Sequence, residues 1–248
     1  MFASFKQILT VAAMTSLLAG VLLTLIQQVQ VVPLILEAEK YDRQAATTGF
    51  GEDHLAAPAE HGRAFTNTLE HADERTSWQP GEGLERNLFT ALANIVIALG
   101  YALLLGAAAS LAANSPGNAK LDGRLGLLWG LAGYVVFFVA PSIGLPPELP
   151  ASHSGALENR QLWWASAVLC TGVGLAFIFF NARYIAKIFG AVLIIAPHAV
   201  GVPHAPAHAA VVPDELLRTF IIATIIANAA FWLALGGFYG FFHKRLSN

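Results

Sequence analysis

Six stretches of this chain contain no Asp, Glu, Lys or Arg: 7–36, 87–119, 125–147, 161–182, 188–213 and 219–242. The acidic and basic residues all fall in the gaps between these runs and at the two ends. A helix needs about 20 apolar residues to cross a hydrocarbon core. A charge at its centre costs roughly 2.5–3.5 kcal/mol on the insertion scale. Six charge-free runs of that length predict six membrane-spanning helices, over 8–36, 88–113, 125–143, 162–180, 185–200 and 220–242. Charged residues are only 12% of the chain, against about 25% in soluble domains. The expected fold is an all-α integral membrane bundle, a single polytopic domain over 1–248 with one long loop at 37–86. The first run stays apolar from Ile8 to Ile26. That is longer than the roughly 7–15 residues of a signal-peptide core, and no small-residue cleavage site follows, so it reads as an anchored helix.

Charge placement sets the expected orientation. Taken alternately, the gaps put Lys6, Lys120, Arg124, Arg183, Lys187, Lys244 and Arg245 on one side, with Asp122 as the lone acid. The other side receives the remaining seven basic residues and fifteen of the sixteen acids, so the two sides carry +6 and −8. Lys and Arg near helix ends mark the cytoplasmic face. Both termini are therefore expected in the cytoplasm, with 37–86, 144–161 and 201–219 outside. The fifth run is short and carries Pro197 near its outer end; were it re-entrant, the C-terminus would move outside. Gly126/Gly130 and Gly236/Gly240 form two GxxxG pairs, which let helix backbones approach closely in lipid. They serve either packing within the bundle or contact with a second subunit.

Candidate chemistry gathers at the outer side. His54, His61, His71, His153, His198, His204 and His208 lie there, and only His243 lies inside. Imidazole and carboxylate together suit divalent transition ions. His54, His61 and His71 match no closed zinc pattern, and a solvated loop explains them as well. His198, His204 and His208 are more specific, because Pro203 and Pro206 hold the chain extended between them. His198 also sits within the apolar run, where an ionisable group is a functional candidate; the plainer alternative is a neutral ring bonded to a carbonyl. Gln27, Gln28, Gln30, Asn94 and Asn228 place amides inside membrane segments. At 100° per residue Gln27, Gln30 and Glu37 share a face of the first helix, and Pro33 between them frees a carbonyl near residue 29. Gln27, Asn94 and Asn228 come out roughly 9–14 Å deep. They form either a polar vestibule or interhelical hydrogen bonds worth about 0.6 kcal/mol a pair. The lone Cys170 excludes an intrachain disulfide and a Cys-rich metal site. No nucleotide-binding loop, hydrolase motif or basic nucleic-acid patch is present, so an enzyme and a nucleic-acid binder are not expected.

Several segments carry a resemblance. They are Gln27-Gln28-x-Gln30-Val-Val-Pro33-Leu-Ile-Leu-Glu37-Ala-Glu39 and Leu128-Trp129-Gly130-Leu-Ala-Gly133-Tyr134. Next come Ala140-Pro141-x-x-Gly144-Leu-Pro146-Pro147-Glu148-Leu-Pro150 and Arg160-Gln161-Leu-Trp163-Trp164. The last are Pro197-His198-x-x-Gly201-x-Pro203 and Asn228-x-x-Phe231-Trp232. Over nearly the whole length the chain resembles the CbtA family, the probable cobalt transporter subunit of bacteria. The resemblance implies about five spans in the bacterial inner membrane, and cobalt uptake tied to cobalamin synthesis. It also implies a small single-span CbtB partner with a histidine-rich end, with cobalt as cargo and no resident cofactor. The residue reading puts His198, His204, His208, Glu37, Gln27, Gln30, Asn94 and Asn228 forward as metal contacts. Contact with membrane lipid is expected, and a homo-oligomer is compatible with the sequence. A non-conducting scaffold for a metal-binding partner, and a permease for a small non-metal solute, stand as the alternatives.

Overall fold

The computed structural model describes residues 5–48, 80–81, 83–113, 121–150, 157–203 and 212–247. Among the described residues every regular element is helical. They are α1 (Phe5–Gln30), α2 (Val32–Thr48), α3 (Leu84–Ala113) and α4 (Gly123–Gly144), then α5 (Leu157–Phe180), α6 (Tyr184–Val200) and α7 (Asp214–Leu246). Five of these, α1, α3, α4, α5 and α7, are long and apolar enough to cross a membrane. Their outward side chains are large and apolar, as at Leu17, Val96, Leu128 and Phe179. Such surfaces are stable only against lipid.

Local chemistry explains the breaks. Pro33 falls in the first turn of α2, where its missing N–H costs nothing. The turn at Val31 separates α2 from α1, and Val31 accepts from the N–H groups of Leu34 and Ile35. In α4, Pro141 has no N–H for the carbonyl of Phe137. The ladder widens just before it into a π turn at Val135–Val139, where Ala140 N–H reaches Val135 O. That turn lays Phe137 flat on Trp232, with ring centroids 5.5 Å apart. Asp122 caps the start of α4 by accepting from Leu125 N–H at 2.9 Å. This bond, helped by nearby Lys244 and Arg124, lowers the Asp122 pKa below the usual carboxylate value.

Contacts along each helix pair fix the course of the chain. α1 and α3 run antiparallel, since Gly20 packs on Ile95 while Gln28 bonds Asn87. α1 and α7 are also antiparallel, since Gln7 Nε2 donates to Ser247 Oγ at 2.7 Å while Gln30 shares a groove with Thr219 and Ile222. α4 opposes α7, because Asp122 meets Gly240 and Gly133 meets Trp232. α5 opposes α4, because Phe180 stacks on Trp129 and Trp163 meets Gly144. α6 has only 17 residues, about 25 Å of helix against a core of about 30 Å. It still runs the length of the hairpin, with Gly190 on Gly174 and Pro197 beside Trp163. Val202, just past its end, packs beside Trp163 on Gly144. So α6 is a shorter apolar helix that runs back along α5, beside the five helices long enough to span. The chain ends near Gln7 and Ser247 lie together, and Glu39 and Arg86 lie at the opposite end.

The two GxxxG pairs meet each other. A Cβ on Gly126 or Gly130 would strike the carbonyl of Gly236 or Trp232, and one on Gly236 or Gly240 would strike that of Gly126 or Asp122. Their role is packing inside the bundle. Around this contact the core is built from Val11, Ala12, Ala19, Ala98, Ala102, Leu235 and Tyr239. We therefore expect Gly130→Val to lower stability by about 1–3 kcal/mol through overpacking. Gly100→Ala, where an added methyl meets nothing within 4 Å, should leave stability unchanged or raise it slightly. Thermal unfolding of both variants in the same detergent checks this.

Candidate functional site

Polar side chains line the seam between α1–α2 and α3. At its surface end Glu39 and Arg86 form an ion pair of 2.6 Å. The next rung is Gln28 Nε2 donating to Asn87 Oδ1 at 2.9 Å. Asn94, seven residues further along α3, lies about 10 Å deeper. Its Nδ2 donates to Gln27 Oε1 at 2.7 Å and to Thr24 Oγ1 at 3.0 Å. Thr24 in turn donates to the carbonyl of Gly20, as threonines in membrane helices commonly do. Asn94 is buried, and the seam thus runs from a charged mouth to amides within the apolar layer. Amide oxygens and a carboxylate are hard donors of the kind that divalent ions accept.

The structure brings some of the sequence candidates together and separates others. Gln27 and Asn94 are bonded partners. Gln30 is exposed and lines a shallow groove of about 420 Å³ with Pro33, Leu34, Thr219, Ile222 and Ile226. Glu37 is exposed on α2, and Asn228 bonds back to the carbonyl of Thr224 in its own helix at 3.0 Å. His198 lies elsewhere, in the α5–α6 hairpin, edge-on to Trp163 with centroids 5.6 Å apart. There Trp163 Nε1 donates to the Pro197 carbonyl at 3.3 Å. α6 ends just beyond, at Gly201 with φ +94°. Just before Trp163 in α5, Arg160 holds Glu148 at 2.5 Å. His204, His208, His54, His61, His71 and His153 lie outside the described residues. Among the described residues no three His, Cys, Asp or Glu side chains cluster as a metal site.

Sequence reasoning missed Glu39, Arg86, Asn87 and Thr24. At 100° per residue Glu37 falls about 20° from Gln30, and both are exposed. Glu39 falls about 20° from Gln28, and these two reach α3. Counting the helical face from Gln28 would have found it. Other acids at this end have a plainer role. Glu85, Glu158, Asp214 and Glu215 occupy first turns of α3, α5 and α7, where they complement the helix dipole. Glu85 also accepts from Gly81 N–H at 3.1 Å.

This is the architecture of a polytopic helical membrane protein with a polar seam entering from one end. The family described as CbtA, probable cobalt transporter subunit, matches residues 5–244, and the chain belongs to that family. No curated protein and no solved structure matches the chain. The family places it among transporter subunits. Within the seam, Asn94→Leu should cost about 0.6 kcal/mol and at most about 1.7 kcal/mol, the range for interhelical hydrogen bonds in lipid. Reversible unfolding in mixed micelles measures it, and a much larger loss would mean that Asn94 organises more than its two bonds.

Proposed function

We propose that this chain is the membrane subunit of a cobalt-uptake system in the bacterial inner membrane, and that Co²⁺ enters along the α1–α3 seam. The observation that carries the proposal is the Asn94–Gln27–Thr24 cluster, a set of amide and hydroxyl groups held within the apolar layer below a charged mouth. Polar groups are costly there and mark ion pathways more often than chance. Family membership supplies the cargo. In this proposal the end bearing Gln7 and Ser247 faces the cytoplasm, as the +6 side of the charge split directs. The loop 37–86 is then extracytoplasmic, and 1–248 acts as one membrane domain. His198, His204 and His208 collect the ion at the outer face, and Gln27 and Asn94 offer oxygen along the seam, while Glu37, Gln30 and Asn228 face neighbouring surfaces off it. The word subunit in the family description implies a partner. We assign that place to a single-span, histidine-bearing CbtB-like protein, and the physiological purpose to cobalamin synthesis.

One observation favours a second reading. Asn94 spends its donors on Gln27 and Thr24, and Asn228 bonds its own helix. A seam whose amides satisfy one another also serves a scaffold that conducts nothing. Radioactive cobalt uptake by cells expressing the chain alone, then with its partner, decides between them. The transport reading expects uptake above background in at least one case. It also expects a severalfold loss in His198→Gln/His204→Gln/His208→Gln at equal expression. Background uptake in both cases would leave the scaffold.

A further inference from the structure

The seam ends at the surface in a carboxylate that is already occupied. Arg86 Nη2 lies 2.6 Å from Glu39 Oε1, and its Nη1 lies 3.4 Å from Oε2. The guanidinium therefore faces both oxygens that a metal ion would use. The two side chains are 35% and 28% exposed, so water and ions reach them while the protein still covers most of each. Arg86 is followed directly by Asn87, which takes the amide of Gln28, so the ion pair stands at the head of the amide rungs. Two other acids lie differently. Glu148 is paired with Arg160 beside Trp163, at the α4–α5 end away from the amides, and Glu37 is exposed.

Partly exposed ion pairs add little to stability, so holding the fold together is a weak reason for this one. It has a stronger effect on binding. A single positive charge tethered to the carboxylate screens it from other cations, and only an ion of higher charge gains by the exchange. We infer that Glu39 is the first ligand of the seam for an incoming divalent cation, and that Arg86 is its built-in competitor, released when the ion takes its place. The inference rests on the transport reading for cargo and direction, but not for the exchange itself. Displacement leaves the ion beside the Gln28–Asn87 rung, and the freed guanidinium returns to the carboxylate once the ion has moved on. Monovalent cations carry no more charge than Arg86 and are turned away at the mouth.

Titration of the purified full-length chain in lipid nanodiscs with Co²⁺ tests this by calorimetry. Arg86→Gln should tighten Co²⁺ binding by about tenfold or more, the effect of removing one adjacent charge. Arg86→Lys should fall between it and the wild type, because an ammonium lacks the two-pronged grip. Glu39→Gln should weaken binding by a similar factor, and Glu39→Gln/Arg86→Gln should match Glu39→Gln. Arg218→Gln removes an equal charge from the same end of the bundle, on exposed α7 surface, and should change nothing. Unchanged affinity in Arg86→Gln and Arg86→Lys would overturn the inference. So would equal tightening in Arg218→Gln, which would show a general field. Thermal stability measured on each sample keeps a folding loss from passing as a binding loss. Wild-type cells that take up no cobalt, with the variants ordered as above, would remove the transport reading and leave the exchange site. Uptake with no such ordering would do the reverse.

Discussion

Backbone lies against backbone where α4 crosses α7, and that contact governs the rest. In lipid there is no hydrophobic gain from bringing two apolar helices together, so close packing must supply it. Gly126 and Gly130 present no side chain to α7, and Gly236 and Gly240 present none to α4. The helices settle to a distance at which carbonyls occupy the space of missing Cβ atoms. With α7 held there, its other face packs Leu235 and Tyr239 into the core with Val11, Ala12 and Ala19 of α1. α1 in turn receives α3 through the close approach of Gly20 to Ile95, where a Cβ would come within 2.7 Å of the Ile95 Cα. The alignment of α1 with α3, and so the alignment of the polar rungs, depends on this series of small-residue contacts. A second set, Gly174 on Gly190, joins α5 to α6 in the same way, with a carbonyl 2.6 Å from the added Cβ position.

Helical phase carried through Pro33 gives the seam its mouth. Glu39 follows Gln28 by eleven residues, so at 100° per residue the two point within about 20° of each other. Glu39 thus reaches Arg86 on α3 beside the Gln28–Asn87 pair, while Leu34 and Ile35 pack on the core. Charge is thereby kept at the surface, and amides follow it inward. An arrangement in that order lets an ion lose water in steps, which is the physical reason to read the seam as a route. Mutual hydrogen bonding among the same amides is the reason to test that reading rather than assume it.

Much of the fold was legible in the sequence because charge is so costly in hydrocarbon. The charge-free runs marked the helices, including the short one ending near Val200. What the sequence withheld was pairing. GxxxG states that a helix can be approached closely, not by which neighbour, so the meeting of Gly126 with Gly236 could not be read. Glu39 was hidden because the polar face was counted from Gln27 and Gln30, not from Gln28. The candidate site was only partly legible. Gln27 and Asn94 stood out as amides in apolar runs and do meet, whereas Gln30, Asn228 and His198 stood out equally and lie against different neighbours.

The central claim is that the seam around Asn94 admits ions from the end opposite Gln7 and Ser247. Asn94→Cys in a Cys170→Ser background puts a thiol at the deepest rung. Its reaction with a small, charged, membrane-impermeant methanethiosulfonate, applied to intact cells with and without Co²⁺, tests the claim directly. The account predicts that the thiol reacts from outside and that Co²⁺ slows the reaction. A thiol that stays inert in both conditions, in protein that folds and reaches the membrane, would show a dry seam that holds helices together and carries no ion.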